Sequence, residues 1–272
     1  MTRENTLPYE SSTPTASSSP VNPLRVALAS KAATVGPWVI TTDPATVEVL
    51  AKTAVDFLIF DCQHGPHDLA TVGPLLRAAA IHSKATLVRV PSSDPWIIMR
   101  ALDLGAAGVV VPMVNSAEEA EIARAATRYP PLGNRSYGPL RPAPGNVFDA
   151  ADGPVVFVMI ETAAGLAAVE EIAAVVGIDG LFIGPVDLAL GVGAMTDGDL
   201  QAGLASPLLR EATGTIAGAA ARSGKILAGA VFSPDHARGM AKAGMTLHVL
   251  GTDTGWLTAG AAGLAQLGSE LT

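Results

Sequence analysis

From residue 25 onward the chain alternates short, almost wholly apolar runs with stretches whose apolar residues recur every three or four positions. Eight runs have the first character: PWVIT (37–41), FLIFD (57–61), TLVRV (86–90), GVVVP (108–112), VVFVMIE (155–161), GLFIG (180–184), ILAGAVF (226–232) and LHVLG (247–251). Continuous apolar character suits a parallel strand buried on both faces, since a sheet with one wet face alternates instead. The stretches between them carry helix punctuation. Asp43-Pro44 and Asp94-Pro95 each place a capping carboxylate before a first-turn proline, and Ser116 with Glu119 spells a capping box. Val47, Leu50, Ala51 and Ala54 repeat at helical spacing after Asp43. Gly105, Gly177 and Gly244 each follow a helical run and precede a strand, as helix-ending glycines do. Eight strand–helix units within about 250 residues predict a single-domain (β/α)8 TIM barrel over residues 24–272. An open doubly wound sheet is the alternative, weakened because no G-x-G-x-x-G follows the first strand.

Residues 1–23 break this pattern. They are rich in Ser, Thr and Pro with no apolar core segment, which predicts a disordered tail and argues against a secretory signal. No run of about 18 apolar residues occurs, so no membrane span is expected. The formal net charge of −8, without a dense basic run, makes nucleic acid and anionic membranes poor partners. The single cysteine, Cys62, rules out an intrachain disulfide and fits a cytoplasmic location, with the thiol read as a space-filler. Two connections are long: 129–154, rich in Pro and Gly, and 189–206. Both are read as loops at the catalytic rim that shape a pocket, or else as surface elaboration.

Polar residues at the strand ends carry the candidate chemistry: Asp61 and His64, Arg89, Glu161 and Asp187. In parallel α/β folds the carboxyl ends of the strands are where ligands bind and catalysis occurs. Glu161 and Asp187 fall at adjacent strands, about 4.8 Å apart. Two converging carboxylates in apolar surroundings imply a shared proton or a cation, and oxygen ligands favour Mg²⁺ or Mn²⁺. A salt bridge to Lys or Arg, or a helix cap made by Asp187, remains the other reading. Arg89, emerging from a strand interior, either holds an anionic substrate or pairs with Asp61 or Glu161. His64, three residues after Asp61, is the histidine best placed to act as a base oriented by a carboxylate. His67 in the same loop is a weaker candidate. Lys52, Lys84, Lys225 and Lys242 sit at strand entries or on helices, the wrong ends for a Schiff-base lysine.

Taken with FDCQHGPHD, LVRVPSSDPWIIMRALDLGAAGVVVPMV, ATRYPPLGNRS, MIETAAG, DGLFIGPVDLAL and VLGTDTGWL, these residues resemble the HpcH/HpaI aldolase family from about Gly36 to Leu267. The resemblance implies a barrel of the phosphoenolpyruvate/pyruvate-domain type and a class II aldolase. Such an enzyme reversibly cleaves a 4-hydroxy-2-oxo acid to pyruvate and an aldehyde. It implies Mg²⁺, Mn²⁺ or Co²⁺ held by Glu161 and Asp187, with backbone near Val186 touching the substrate. It further implies His64 as the base at the 4-hydroxyl and Arg89 as the group that stabilises the developing oxyanion. Asp103 is the carboxylate that would raise the basicity of the histidine. Its place at a helix end puts it at the far rim of its own barrel, so it would act from a neighbouring subunit of a homo-oligomer, a hexamer in this family. Met159 stands where the best-known members have a substrate-contacting Gln, and the loop GNRSYGPLRP departs from their G-x-R-G form. Both changes point to an apolar or uncharged aldehyde, although Arg135 or Arg141 in that loop is a possible carboxylate partner. Oxaloacetate decarboxylation at the same site, or a silent metabolite-binding barrel, are the alternative functions.

Overall fold

All eight apolar runs are strands, and the chain closes them into a parallel barrel in sequence order, β8 pairing back onto β1. The computed structural model describes residues 21–141, 144–149 and 151–271. Its elements run α1 (Pro23–Ser30), β1 (Thr34–Val39), α2 (Pro44–Lys52), β2 (Phe57–Asp61), α3 (Val72–Ile81), β3 (Ala85–Arg89), α4 (Pro95–Asp103), β4 (Gly108–Val111), α5 (Ala117–Ala126), β5 (Val155–Ile160), α6 (Ala163–Ala167), α7 (Val169–Ala174), β6 (Gly180–Ile183), α8 (Pro185–Gly191), α9 (Leu200–Ala205), α10 (Pro207–Arg222), β7 (Ile226–Val231), α11 (Pro234–Lys242), β8 (Met245–Thr252) and α12 (Asp253–Glu270). The expected helix starts hold. Asp43 and Asp94 cap α2 and α4 through their carboxylates, and Ser116 Oγ accepts from the Glu119 N–H at the start of α5. Glu119 does not close the box on Ser116; its Oε2 reaches one residue further back, to the Asn115 N–H at 2.7 Å. Gly105, Gly177 and Gly244 have φ of 102°, 92° and 97°.

Side chains divide by strand face. Phe57, Ile59, Leu87, Val110, Phe157, Met159, Phe182, Leu247 and Val249 fill the barrel interior, and Leu24 of α1 joins them. The opposite faces, with Leu58, Val88, Val156 and Leu181 among them, pack under the surrounding helices. Because side chains alternate, Asp61, Arg89 and Glu161 inherit the inward direction of Ile59, Leu87 and Met159 two residues earlier. The interior is therefore apolar for most of its depth and becomes charged only at the carboxyl end.

Two expectations change here. The connection 129–154 follows α5 and precedes β5, so it emerges at the amino rim, opposite the strand ends that carry the site. There it meets Asn22, whose N–H donates to Asp152 Oδ1 at 2.9 Å, and Asp103, whose carbonyl accepts from the Leu140 N–H at 3.1 Å. Most of the tail expected over 1–23 lies outside the described residues. At its end Asn22 is buried, bonds the Ala107 and Gly153 carbonyls, and caps α1. No described helix is long and apolar enough to cross a membrane.

Candidate active site

β2 and β3 run in register so that Asp61 faces Arg89 across the ladder. Arg89 Nε donates to Asp61 Oδ1 at 2.8 Å and Nη2 to Oδ2 at 2.5 Å, a two-pronged pair almost wholly buried. Burial alone would raise the Asp61 pKa, yet the Arg89 bonds and charge, with the Gln63 and His64 N–H groups, hold it below the usual range. The guanidinium also lies over the Trp38 ring, 4.5 Å from its centroid, and Trp38 meets Phe182 edge-on. Arg89 is thus clamped on one edge and one face. Its Nη1 makes no hydrogen bond among the described residues and remains for a ligand in the cavity that Arg89 lines.

That geometry corrects the reading of Asp61 as the group that orients His64. A carboxylate bound on both oxygens to a guanidinium has no free oxygen aimed at the imidazole, and Asp61 reaches His64 only through its backbone N–H, at 3.2 Å. The His64 ring is exposed on the loop after β2 and lines the cavity. His67 is excluded as a base: it is buried, its Nε2 bonded to the Val39 carbonyl at 2.9 Å. Cys62 is buried as well, and burial, aided by the charges of Asp61 and Asp68, pushes its thiol up to about 12. It stays a protonated space-filler at neutral pH.

Glu161 follows β5 and stands opposite Gly184, one step beyond the Ile160–Ile183 pair. Its Oε1 accepts from the Met113 N–H at 2.8 Å. Its Oε2 is buried with no partner among the described residues. A carbon on Gly184 would lie 2.3 Å from Oε2, so the carboxylate occupies space that any other residue at 184 would fill. Burial raises the Glu161 pKa, with the Asp187 charge adding to it and the Met113 bond and Arg89 opposing. Asp187 sits in the first turn of α8, whose cap position is Gly184 without any side-chain bond, so Asp187 is not a cap. Its carboxylate makes no hydrogen bond or ion pair among the described residues. The salt-bridge alternative therefore holds for Arg89 with Asp61 and for neither of the two carboxylates.

His64, Arg89 and Asp187, with Gly184 against the Glu161 carboxylate, line a cavity of about 370 Å³ whose apolar walls include Met159, Phe182, Pro185, Val186 and Phe232. A divalent cation fits what is there: one orphaned buried oxygen, a second unpaired carboxylate, and only oxygen donors. No cluster of three or more His, Cys, Asp or Glu forms a ready-made cage among the described residues. Two protein oxygens with water and a chelating substrate make the donor set Mg²⁺ commonly takes.

Asp103 is not in this constellation. It ends α4 at the amino rim and accepts from Arg135 Nη2 at 2.7 Å. Arg135 is itself buried and packed on Tyr129, and Arg141 runs beside Gly105 at the same rim. Neither arginine reaches the cavity of its own chain. Sequence reasoning missed Trp38, Gly184 and Met113. The first two were available: Trp38 lies within the first strand run, and Gly184 directly precedes the turn that carries Asp187. Nothing in the sequence marks Met113, a non-glycine residue with φ of 57°.

Comparisons with known proteins identify the family. The family model for HpcH/HpaI aldolase/citrate lyase matches residues 34–259. The hydroxypyruvate/pyruvate aldolase of Roseovarius nubinhibens is 40% identical over 185 residues, 65% of this chain and 72% of that protein. The 5-keto-4-deoxy-D-glucarate aldolase of Escherichia coli K12 is 39% identical over 178 residues, 63% and 70% respectively. The crystal structure of an HpcH/HpaI aldolase/citrate lyase family protein from Burkholderia cenocepacia J2315 superposes with a TM-score of 0.80 at 30% identity, covering 90% of this chain and 98% of that one. The chain belongs to the HpcH/HpaI aldolase/citrate lyase family and is a carbon–carbon lyase of the aldolase type.

Proposed function

We propose that this protein is a divalent-metal-dependent aldolase that reversibly cleaves a 4-hydroxy-2-oxo acid to pyruvate and an aldehyde. One observation carries the reading: Glu161 and Asp187 lie near enough for the Asp187 charge to act on Glu161, and neither is neutralised, while the nearby arginine is already bound to Asp61. Such an arrangement is costly unless a cation joins it. A bound dication would supply Lewis-acid stabilisation of the negative charge that cleavage leaves on the three-carbon oxo acid.

The chain's own residues do the rest. Arg89, fixed by Asp61 and Trp38, turns its free Nη1 toward the cavity and takes an oxyanion or carboxylate oxygen of the substrate without moving. His64 accepts the proton of the 4-hydroxyl in the cleavage direction and returns it in synthesis. The first turn of α8, at Pro185 and Val186, presents backbone to the oxo-acid end. Trp38, Met159, Phe182 and Phe232 give the aldehyde end an apolar seat, in keeping with an uncharged aldehyde. Relatives named as pyruvate and sugar-acid aldolases support the reaction class.

A homo-oligomer, a hexamer by family resemblance, is part of this reading. α12 buries only Asp253 of its 18 residues and exposes Trp256, Leu257, Leu264 and Leu267, surface that a second copy would cover. Asp103 would then approach His64 of a neighbour. The test is pyruvate release from a generic 4-hydroxy-2-oxo acid before and after exhaustive EDTA treatment. Loss of activity, restored by Mn²⁺ or Mg²⁺, is expected; full activity without metal would overturn the proposal.

A further inference from the structure

Glu161 is held by a network that crosses from one strand end to the next. Met113, in the turn after β4, gives its N–H to Glu161 Oε1 at 2.8 Å from a left-handed conformation, φ 57°, which is uncommon for a residue with a side chain. Its carbonyl accepts from Asn115 Nδ2 at 2.7 Å. Asn115 Oδ1 in turn accepts from the Thr162 hydroxyl, and Thr162 directly follows Glu161. The Asn115 N–H is tied to Glu119 Oε2 at 2.7 Å, which anchors the turn to the start of α5. The ring Glu161–Met113–Asn115–Thr162 therefore closes on itself and uses both ends of one amide side chain.

We propose that Asn115 is a positioning residue for the Glu161 carboxylate. It holds Met113 left-handed, so that the Met113 N–H engages Oε1 and Oε2 alone is presented toward Asp187. The inference rests on the metal reading above. Left-handed backbone at a side-chain-bearing residue persists only where surroundings enforce it, and the Asn115 amide is the group that grips the Met113 peptide. If the grip is lost, the turn relaxes, Oε1 loses its donor and the carboxylate can rotate. Partners that orient a metal ligand typically matter by about 10–100-fold in affinity.

Mn²⁺ binding, followed by the loss of the free-ion paramagnetic resonance signal, tests this on the full chain without any turnover. Asn115→Ala should weaken Mn²⁺ about tenfold or more, and Thr162→Val should follow it, while Thr162→Ser, which keeps the hydroxyl, should bind like wild type. Met113→Gly, which adopts φ 57° freely and keeps its N–H, should stay within about twofold, whereas Met113→Val, strained there, should weaken binding as Asn115→Ala does. A merely structural role would not divide glycine from valine or serine from valine in this way. Wild-type affinity in Asn115→Ala would overturn the proposal; should that variant not fold, wild-type affinity in Thr162→Val would do so. Glu161→Gln separates the two claims. If it abolishes binding while Asn115→Ala leaves it intact, the metal reading stands and the positioning role falls; if wild type binds no Mn²⁺, both fall.

Discussion

At the amino rim Asp56, Asp103, Asp152 and Asp179 each have a hydrogen-bonded partner, three of them on both oxygens. Asp179 takes Nη1 and Nη2 of Arg25 at 2.8 and 3.1 Å and the Val156 N–H, and Asp103 takes Arg135. Asp56 binds Lys31 and the Val35 N–H, and Asp152 the N–H groups of Asn22 and Asn146. Even the lysines there are committed, Lys84 to the Thr53 and Val55 carbonyls and Lys225 to those of Val175 and Ile178. At the carboxyl rim Asp61 and Asp253 are answered in the same way, but Glu161 keeps a bare buried oxygen and Asp187 has no partner among the described residues. Complete pairing serves stability. Incomplete pairing of two neighbouring carboxylates is a cost that a bound cation or a shared proton relieves.

The sharpest way to break this comparison is to neutralise the unpaired acids. Glu161→Gln should lower kcat/KM by about 10³-fold or more, since it removes a ligand to the charge that stabilises the transition state. The same variant should melt higher than metal-free wild type, because it no longer buries an unpaired acid; a simultaneous loss of stability would contradict the account. His64→Ala should cost about 10²–10⁴-fold in kcat, with stability changed by no more than about 0.5 kcal/mol, as its ring is exposed and makes no hydrogen bond among the described residues. Steady-state kinetics beside thermal melts reads both.

Next in size is the arginine pair of each rim. Arg89→Met leaves Asp61 buried without its cation, so it should cost about 3–5 kcal/mol and activity together. Arg25→Met should cost less, because Arg25 and Asp179 are partly solvent-accessible, and should leave Mn²⁺ affinity and kcat unchanged. Denaturant unfolding beside kinetics would show it, and a loss of kcat in Arg25→Met would blur the division between rims.

The pH dependence should separate the paired acid from the unpaired one as well. Glu161 has a raised pKa, so in the metal-free protein its contribution is whole below the usual glutamate range and fades as pH rises through its own value. Asp61, lowered, contributes fully above the usual aspartate range and loses that contribution as pH falls through its own value. In EDTA, the melting advantage of Glu161→Gln over wild type should therefore grow from acid to neutral pH. A constant difference would mean that Glu161 titrates normally. The smallest effect expected is Met159→Gln, shifting preference toward a carboxylate-bearing aldehyde such as succinic semialdehyde by about tenfold; an aldehyde panel with pyruvate measures it.

Much of this was legible in the sequence, unevenly. The strand 57–61 has the bounds its apolar run gave, and strand ends named Asp61, Arg89, Glu161 and Asp187, because a buried parallel strand leaves little freedom in register. The partner of Asp61 was half legible: Arg89 stood among the alternatives from its place in a strand interior, three residues of separation suggested His64 instead, and the ladder puts Arg89, 28 residues away, directly opposite. The place of 129–154 was misjudged because length drew attention to it, although a connection from helix to strand can only return to the amino rim. The turn at Met113 left no trace, since its conformation is imposed by Asn115 and Glu161 rather than by its own side chain.

The most direct measurement is anomalous diffraction from crystals soaked in Mn²⁺. The expected result is one peak per chain within coordinating distance of both Glu161 Oε2 and the Asp187 carboxylate. A crystal that takes up the ion elsewhere, or leaves those two oxygens pointing apart, would contradict the account.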